Sequence, residues 1–208
     1  MKSCYRCFFD FAREERWLAD MARQGYALSE ITCLGRYTFQ PSDGTGLVYR
    51  MDYRVFGRTD DYGEYLALFE DSGWRHLRGS KSSGVQYFVQ SKEGAPEDIF
   101  SDKASRAGRY QRLSAMWLSL FAAFVPIVVA LAMTNAYGLA AFTSPKALYL
   151  TPGLWQMSGA RFWAAFLFET PFAVGRGFSW VLVLLPLILY LIAFLKSRQL
   201  YRQYLKDQ

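Results

Sequence analysis

Two uninterrupted apolar stretches dominate the second half of the chain. They comprise residues 113–134 and 178–195, and neither contains a charged side chain. Each is close to the ~20 residues that an α-helix needs to cross the core of a bilayer. The pattern predicts two transmembrane helices joined by a connector, which together form a membrane hairpin.

The first hundred residues instead combine short amphipathic helix patterns with strand patterns. Apolar residues at three-to-four-residue spacing predict one helix that ends at Gly25 and a second that ends at Gly73. Asp60 or Asp61 is the expected N-cap of the second helix. Runs rich in aromatic and β-branched residues, bounded by Gly, Ser, Asp and Pro, predict strands. The predicted strands are 26–34, 36–40, 47–56, 74–78 and 86–90.

The two halves of this head resemble each other in sequence. Residues 5–40 and 49–90 both open on Tyr-Arg and continue through a strand, a helix and two further strands. An offset of 48 relates Trp17-Leu18 to Tyr65-Leu66, and Gly25-Tyr26 to Gly73-Trp74. A sequence repeat of this kind indicates that the same structural unit occurs twice. We therefore predict an α+β fold: a cytoplasmic, duplicated β-α-β-β head, ferredoxin-like, with two helices on one face of an antiparallel sheet, followed by a two-helix transmembrane hairpin.

The patterns divide the chain into six segments. These are a cytoplasmic α+β repeat domain (1–98), a basic juxtamembrane helix (99–112), a first transmembrane helix (113–134), an extracytoplasmic connector with an interfacial segment (135–177), a second transmembrane helix (178–195) and a basic cytoplasmic tail (196–208).

Charge is distributed unevenly along the chain. Residues 1–101 carry 13 Lys and Arg against 15 Asp and Glu, whereas residues 102–208 carry 11 against 3. The basic excess flanks the apolar stretches, so anionic lipid is a nearer explanation than nucleic acid, and no direct nucleic-acid binding is expected. The positive-inside rule places both termini in the cytoplasm, with the chain in the cytoplasmic membrane and no secretory signal peptide. The predicted membrane-surface contacts are Lys103, Arg106, Arg109, Arg112, Lys196, Arg198 and Arg202.

Two segments next to the predicted spans allow alternative interpretations. The cations from Lys103 to Arg112 recur every three residues; they form either a solvated flank or a lever that lies on anionic lipid. The connector contains an aromatic run, 162–168, between Arg161 and Glu169, which is too short to cross the bilayer. An amphipathic segment on the outer leaflet is the expected state, and a re-entrant piece or a ligand-facing cap remains open.

An ordered series of residues runs through the head. It comprises Phe9-Asp10-Phe11, Glu14-Glu15, Trp17-Leu18, Met21-Ala22, Gly25-Tyr26, Leu28, Gly35, Tyr37, Phe39, Tyr49-Arg50-Met51-Asp52-Tyr53, Gly73-Trp74, Tyr87-Phe88, and Ile99-Phe100-Ser101-Asp102 with Ser105. Over roughly residues 5–112 this series resembles the bacterial family catalogued as domain of unknown function 2812. The resemblance implies a cytoplasmic head followed by membrane helices. It also implies a regulatory or sensing role without catalysis, since family members are often encoded beside PadR-type repressors.

Cysteine and histidine offer little chemistry. The Cys4-x-x-Cys7 pair precedes a predicted strand, whereas thioredoxin-type chemistry needs the pair at a helix N-terminus. A zinc site needs four ligands, and only Cys33 and His76 remain to supply the other two. We predict ordinary reduced cysteines, a structural histidine, and no metal or cofactor.

The carboxylates near the first helix could form a paired-acid site. Asp10, Glu14 and Glu15 lie close together in the sequence, but acids are favoured at a helix start by the dipole alone. No phosphate-binding glycine loop, nucleophile elbow or metalloprotease motif occurs. We predict no catalytic residue; a small membrane enzyme using Asp10, Glu14 or Cys7 is the third-ranked hypothesis.

The many aromatic residues of the head suggest core packing, or a sheet face that binds a partner. The candidate partner-binding residues are Trp17, Tyr26, Trp74 and Tyr87. The favoured hypothesis is a membrane-anchored regulatory or interaction protein, whose head binds a cytoplasmic or membrane protein in envelope sensing linked to transcriptional control. The alternative is an accessory subunit of a membrane transport or export complex. Self-association into a homo-oligomer is compatible with both.

Overall fold

A computed structural model describes residues 1–32, 35–43, 46–92, 94–134 and 143–206. The chain forms two compact units, one of Met1–Ala115 with Leu195–Gln208 and one of Met116–Phe194. Cys33 and residues 135–142 of the predicted connector lie outside the described residues.

The first half of the first unit contains β1 (Lys2–Tyr5), α1 (Phe11–Arg23), β2 (Tyr26–Ile31) and β3 (Arg36–Pro41). The strands form an antiparallel sheet in the order β1-β3-β2. Asp10 caps α1 by accepting a hydrogen bond from the Ala12 amide at 3.0 Å. Gly25 follows the helix with φ of +81°, a left-handed conformation that favours glycine. The predicted helix and its end are confirmed.

The second half contains β4 (Tyr49–Tyr53), α2 (Thr59–Asp71), β5 (Trp74–Arg78) and β6 (Val85–Gln90), with a second antiparallel sheet in the order β4-β6-β5. Its core is an aromatic cluster of Phe56, Tyr65, Phe69, Trp74 and Phe88. Helix α2 begins earlier than expected: its N-cap is Arg58, with no side-chain capping bond. The two predicted cap residues, Asp60 and Asp61, lie in its first turn, where acids interact favourably with the helix dipole.

The fold is therefore mixed α and β, as predicted, but the strands do not form one sheet. The described residues form two sheets of three strands, so the ferredoxin-like arrangement is not confirmed. Both halves nevertheless have the element order β-α-β-β and place their last strand in the middle of the sheet. They also share turn hydrogen bonds. These run from Arg6 N to Gly35 O and from Arg54 N to Gly84 O, and from Ser42 N to Gly25 O and from Ser91 N to Gly73 O.

Two long helices follow the sheets: α3 (Lys103–Thr134) and α4 (Gly159–Lys206). Both are long and apolar enough to cross a membrane, with a mean hydropathy of 2.3 and 2.6 over their most apolar windows. The first turns of α3 belong to the first unit and bury Ala107, Tyr110 and Leu113. The end of α4 belongs there too, and the Tyr204 ring stacks on the Tyr110 ring at 5.2 Å.

In the second unit, α4 begins 19 residues before the predicted second span. The aromatic run 162–168 thus lies in the first turns of α4. At ~1.5 Å per residue its 48 residues extend about 72 Å, more than twice the ~30 Å of a hydrocarbon core. Within the predicted connector, Glu169 accepts from the Thr151 amide at 2.8 Å and pairs with Arg176 at 2.9 Å. Which turns of α4 contact lipid stays a prediction.

Candidate functional site

The arginine row (Arg106, Arg109 and Arg112) lies in the first turns of α3 and faces the head. A spacing of three residues places the row along one side of the helix. Each arginine forms an ion pair with an acid of the head, and these acids lie on three different segments. The pairs are Arg106 with Asp98, Arg109 with Glu15 at 2.6 Å, and Arg112 with Asp52 at 2.6 Å.

Arg109 is the most deeply buried member of the row, at 2% exposure. Its Nη1 donates to Glu15 Oε1 at 2.6 Å and to Met51 O at 2.7 Å. Its guanidinium also lies 5.2 Å from the centroids of the Phe11 and Tyr110 rings. A buried guanidinium needs such partners, because an unpaired charge in the interior costs several kcal/mol.

The row also closes the open edge of the second sheet. Among the strands that the structure describes, β4 pairs with β6 alone and has a free second edge. At its other edge, the Met51 amide donates to Glu15 Oε1 at 3.0 Å, and Tyr53 O accepts from Arg112 Nε at 2.5 Å. Together with the bond from Arg109 to Met51 O, these contacts satisfy main-chain groups that an edge strand would otherwise leave unpaired.

These positions correct part of the predicted membrane surface. A side chain that is 2% exposed cannot also reach a lipid headgroup, so Arg109 is a structural cation of the head. Arg106 and Arg112 are partly exposed, each at 40% of the side chain, but both point to acids of the head. For the remaining predicted contacts, which are all exposed, lipid binding stays a prediction. These are Lys103, Lys196, Arg198 and Arg202.

A second buried acid connects the two sheets. Glu14 of α1 is 5% exposed, and its Oε1 accepts hydrogen bonds from Tyr37 of β3 at 2.5 Å and from Tyr87 of β6 at 2.8 Å. Burial raises the pKa of the Glu14 carboxyl, and the tyrosine hydrogen bonds oppose that rise. The site therefore serves as a polar junction between the halves of the head.

Because the pKa of Glu14 is higher in the folded head than its ordinary 4.5, Glu14→Gln should change how stability depends on pH. The folded state binds this proton more tightly than the unfolded state, so Glu14 contributes stability below pH 4.5 that disappears as pH rises through its folded pKa. The wild-type advantage over Glu14→Gln should thus shrink from pH 4 to 8 in thermal unfolding of the full chain. Glu64→Gln, at an exposed position of α2, is the control. If the stabilities of wild type and Glu14→Gln change in parallel between pH 4 and pH 8, the raised pKa of Glu14 in the folded head is contradicted.

The four predicted partner-binding residues differ in exposure: two are buried and two are half-buried. Trp74 is fully buried and Tyr87 is 9% exposed with its hydroxyl on Glu14, so neither offers a surface. This corrects their predicted role: their bulk fills the head. Trp17 and Tyr26 are half-buried; the Trp17 ring packs against Tyr37 at 4.9 Å.

An exposed apolar surface that the sequence analysis missed lies beside α2. We call it the α2 groove; it has a volume of about 610 Å³. Val55 and Leu68 line it and are 57% and 63% exposed. The signal in the sequence is Leu68 itself, which falls outside the apolar stripe of the helix. The groove is lined by Arg54, Val55, Phe56, Gly57, Asp61, Glu64, Tyr65 and Leu68.

The residues considered for chemistry are mostly engaged in structure. Asp10 caps α1 and accepts from the Tyr110 hydroxyl at 2.6 Å. His76 is half-buried, its Nε2 lies 3.0 Å from Gln86 Oε1, and burial lowers its pKa. Cys4 and Cys7 are free thiols. Among the residues that the structure describes, no three His, Cys, Asp or Glu side chains are grouped so as to hold a metal ion.

Comparison with known proteins gives a family match. The family described as protein of unknown function (DUF2812) matches residues 10–122, which is more than half of the chain. No curated protein and no solved structure matches. The matched range includes the second sheet, strands β2 and β3 of the first sheet, the acids Glu14 and Glu15, and the whole arginine row. The chain therefore belongs to the DUF2812 family.

Proposed function

We propose that this protein is a membrane-anchored regulatory or interaction protein whose cytoplasmic head binds a protein partner. The observation that carries the proposal is the arginine row. Helix α3 begins in the head, where Arg109 is buried against Glu15, and continues to Thr134 through its apolar stretch. A helix that is part of both the folded head and a predicted span is suited to connect the two.

The proposed topology rests on length and charge. Helices α3 and α4 cross the cytoplasmic membrane, and both termini lie in the cytoplasm because the basic residues flank the outer ends of the apolar stretches. None of the most apolar window of α3, and only 11% of that of α4, is buried inside the protein. Such surfaces suit contact with lipid or with another membrane protein.

We further propose that the two halves of the head derive from a duplication and have since diverged. The matching turn bonds and strand orders support this origin. At the offset of 48, Glu14 and Glu15 correspond to Tyr62 and Gly63. The first half thus supplies Glu15, which pairs with Arg109 of α3, at a position where the second half has a glycine. The second half instead leaves the α2 groove exposed.

The α2 groove is the proposed partner surface. Its exposed Val55 and Leu68 are apolar anchors, and Arg54, Asp61 and Glu64 supply a charged rim. Protein interfaces combine an apolar centre with a polar rim in this way. The head would use no catalytic group in this role, since its buried acids are occupied by structural contacts.

Leu68→Asp should abolish most partner capture. A central apolar anchor contributes about 2 kcal/mol or more, so capture should fall about 30-fold. The matched control is Ala67→Asp, which adds the same charge at the neighbouring exposed position of α2. Full-length protein is cross-linked in cells at native expression, extracted in mild detergent, and its partners are quantified by mass spectrometry.

Three results of that experiment count against the proposal. Equal capture by Leu68→Asp and wild type would remove the α2 groove as the surface. Recovery of the chain in the soluble fraction of the cells would remove the membrane anchor. Recovery of integral transport proteins alone, unchanged by Leu68→Asp, would favour an accessory subunit of a transport complex.

A further inference from the structure

A second cavity of the first unit lies between the segment before α1 and the last turns of α4. Its volume is about 470 Å³, which is within the range of small-ligand sites. All of its lining residues belong to the same compact unit. They are Arg6, Cys7, Phe8, Phe9, Asp10, Arg13, Lys196, Gln199, Leu200 and Gln203. We call it the basic pocket.

The basic pocket is strongly cationic. Arg6, Arg13 and Lys196 line it, and none of them takes part in an ion pair found among the described residues. Asp10 is the one acid of the lining, and its Oδ1 already accepts from the Ala12 amide and the Tyr110 hydroxyl. Three cations against one engaged carboxylate favour an anionic ligand.

The other lining groups suit a ligand with a polar head and an apolar part. The side-chain amides of Gln199 and Gln203 can donate hydrogen bonds to oxygen atoms. Phe9 is 45% exposed, and the Lys196 ammonium lies 4.9 Å from the centroid of its ring. The pocket thus offers hydrogen-bond donors beside an exposed aromatic surface.

The sequence places the α4 wall of the basic pocket next to the predicted span. Lys196 directly follows the apolar stretch that ends at Leu195. At ~1.5 Å per residue, the wall from Lys196 to Gln203 covers about 11 Å along the helix. A wall that starts where the hydrocarbon ends and continues for this length lies at the depth of lipid headgroups.

We propose that the basic pocket binds a phosphate-ester anion, supplied by the headgroup of an anionic phospholipid. The inference rests on the proposed membrane anchoring, and it adds a specific lipid site to it. The phosphate would lie among Arg6, Arg13 and Lys196, and the glycerol part of the lipid would lie towards Phe9. Basic pockets on the cytoplasmic side of membrane proteins recognise anionic headgroups by this chemistry.

The test compares two doubly substituted full-length proteins. Arg13→Gln/Lys196→Gln removes two cations of the basic pocket. Arg23→Gln/Lys206→Gln is the matched control, because it removes one exposed cation from each of the same two helices outside the pocket. Native mass spectrometry from detergent micelles measures binding of phosphatidylglycerol, phosphatidylcholine and glycerol 1-phosphate.

We expect wild type and control to retain one phosphatidylglycerol in preference to phosphatidylcholine. Each cation near a headgroup is worth about a fivefold change in affinity, so the pocket variant should bind about 25-fold more weakly. Equal phosphatidylglycerol affinity in both variants would overturn the proposal. A different result would be that glycerol 1-phosphate binds as tightly as the lipid and that the pocket variant loses this binding. That result would retain the phosphate site but overturn the lipid as the source of the phosphate. Cell fractionation tests the anchor separately, so failure of the anchor and failure of the pocket are distinguishable.

Discussion

Replacing Arg109 with Met is expected to lower the free energy of unfolding of the head by about 3–5 kcal/mol. The methionine fills much of the space of the arginine stem. It leaves Glu15 buried, with the Met51 amide as its remaining hydrogen-bond partner among the described residues. It also removes the donor to Met51 O at the edge of β4. Whole domains are stable by only about 5–15 kcal/mol, so this loss is a large share. Hydrogen exchange of β4 and β6 amides in the full chain measures it.

A double substitution separates the charge from the packing. Adding Glu15→Gln to Arg109→Met removes the unpaired carboxylate while keeping an acceptor for the Met51 amide, so the double variant should be more stable than Arg109→Met. Arg23→Met is the surface control, because Arg23 pairs with Asp20 at an exposed position. If the β4 and β6 amides exchange at the same rate in Arg109→Met as in Arg23→Met, the arginine row does not stabilise the head.

The local structure of the head could be predicted because its signals are local. The apolar stripe and Gly25 define α1, and the strand pattern at 74–78 coincides with β5. Sheet organisation could not be derived in the same way, since strand pairing is decided by residues far apart in the chain. The pairing of β4 with β6 is one example, and a β-bulge between His76 and Arg78 shifts the register of β5.

The contacts of the arginine row with the head could not be predicted either, because they also join residues far apart in the chain. A cation every three residues looks the same whether it faces lipid or protein carboxylates. The decisive partner, Glu15, lies 94 residues before Arg109. The sequence did contain one indication: Ala107, Tyr110 and Leu113 form an apolar stripe beside the cations, and all three are buried. A stripe of that kind predicts a packed helix face better than a face on a membrane surface.

The second large effect is expected at Trp74, whose indole is fully buried in the aromatic cluster of the second half. Trp74→Ala should lower the free energy of unfolding by about 3–5 kcal/mol, because it removes the ring and leaves a cavity against Phe69 and Phe88. The indole Nε1 has no hydrogen-bond partner among the described residues. Trp74→Phe should therefore cost less, since it loses volume but no hydrogen bond. Hydrogen exchange of β5 and β6 amides measures both variants.

Partner capture distinguishes this structural role from the surface role that the sequence suggested for Trp74. If the indole only fills the core, capture by Trp74→Ala falls in step with the fraction of folded head, and Trp74→Phe captures as well as wild type. Leu68→Asp should behave in the opposite way, because Leu68 is 63% exposed. Amide hydrogen exchange of this variant should stay near that of wild type, while partner capture is lost. Loss of capture by a well-folded Trp74→Phe would return Trp74 to the binding surface and contradict the assignment of the α2 groove.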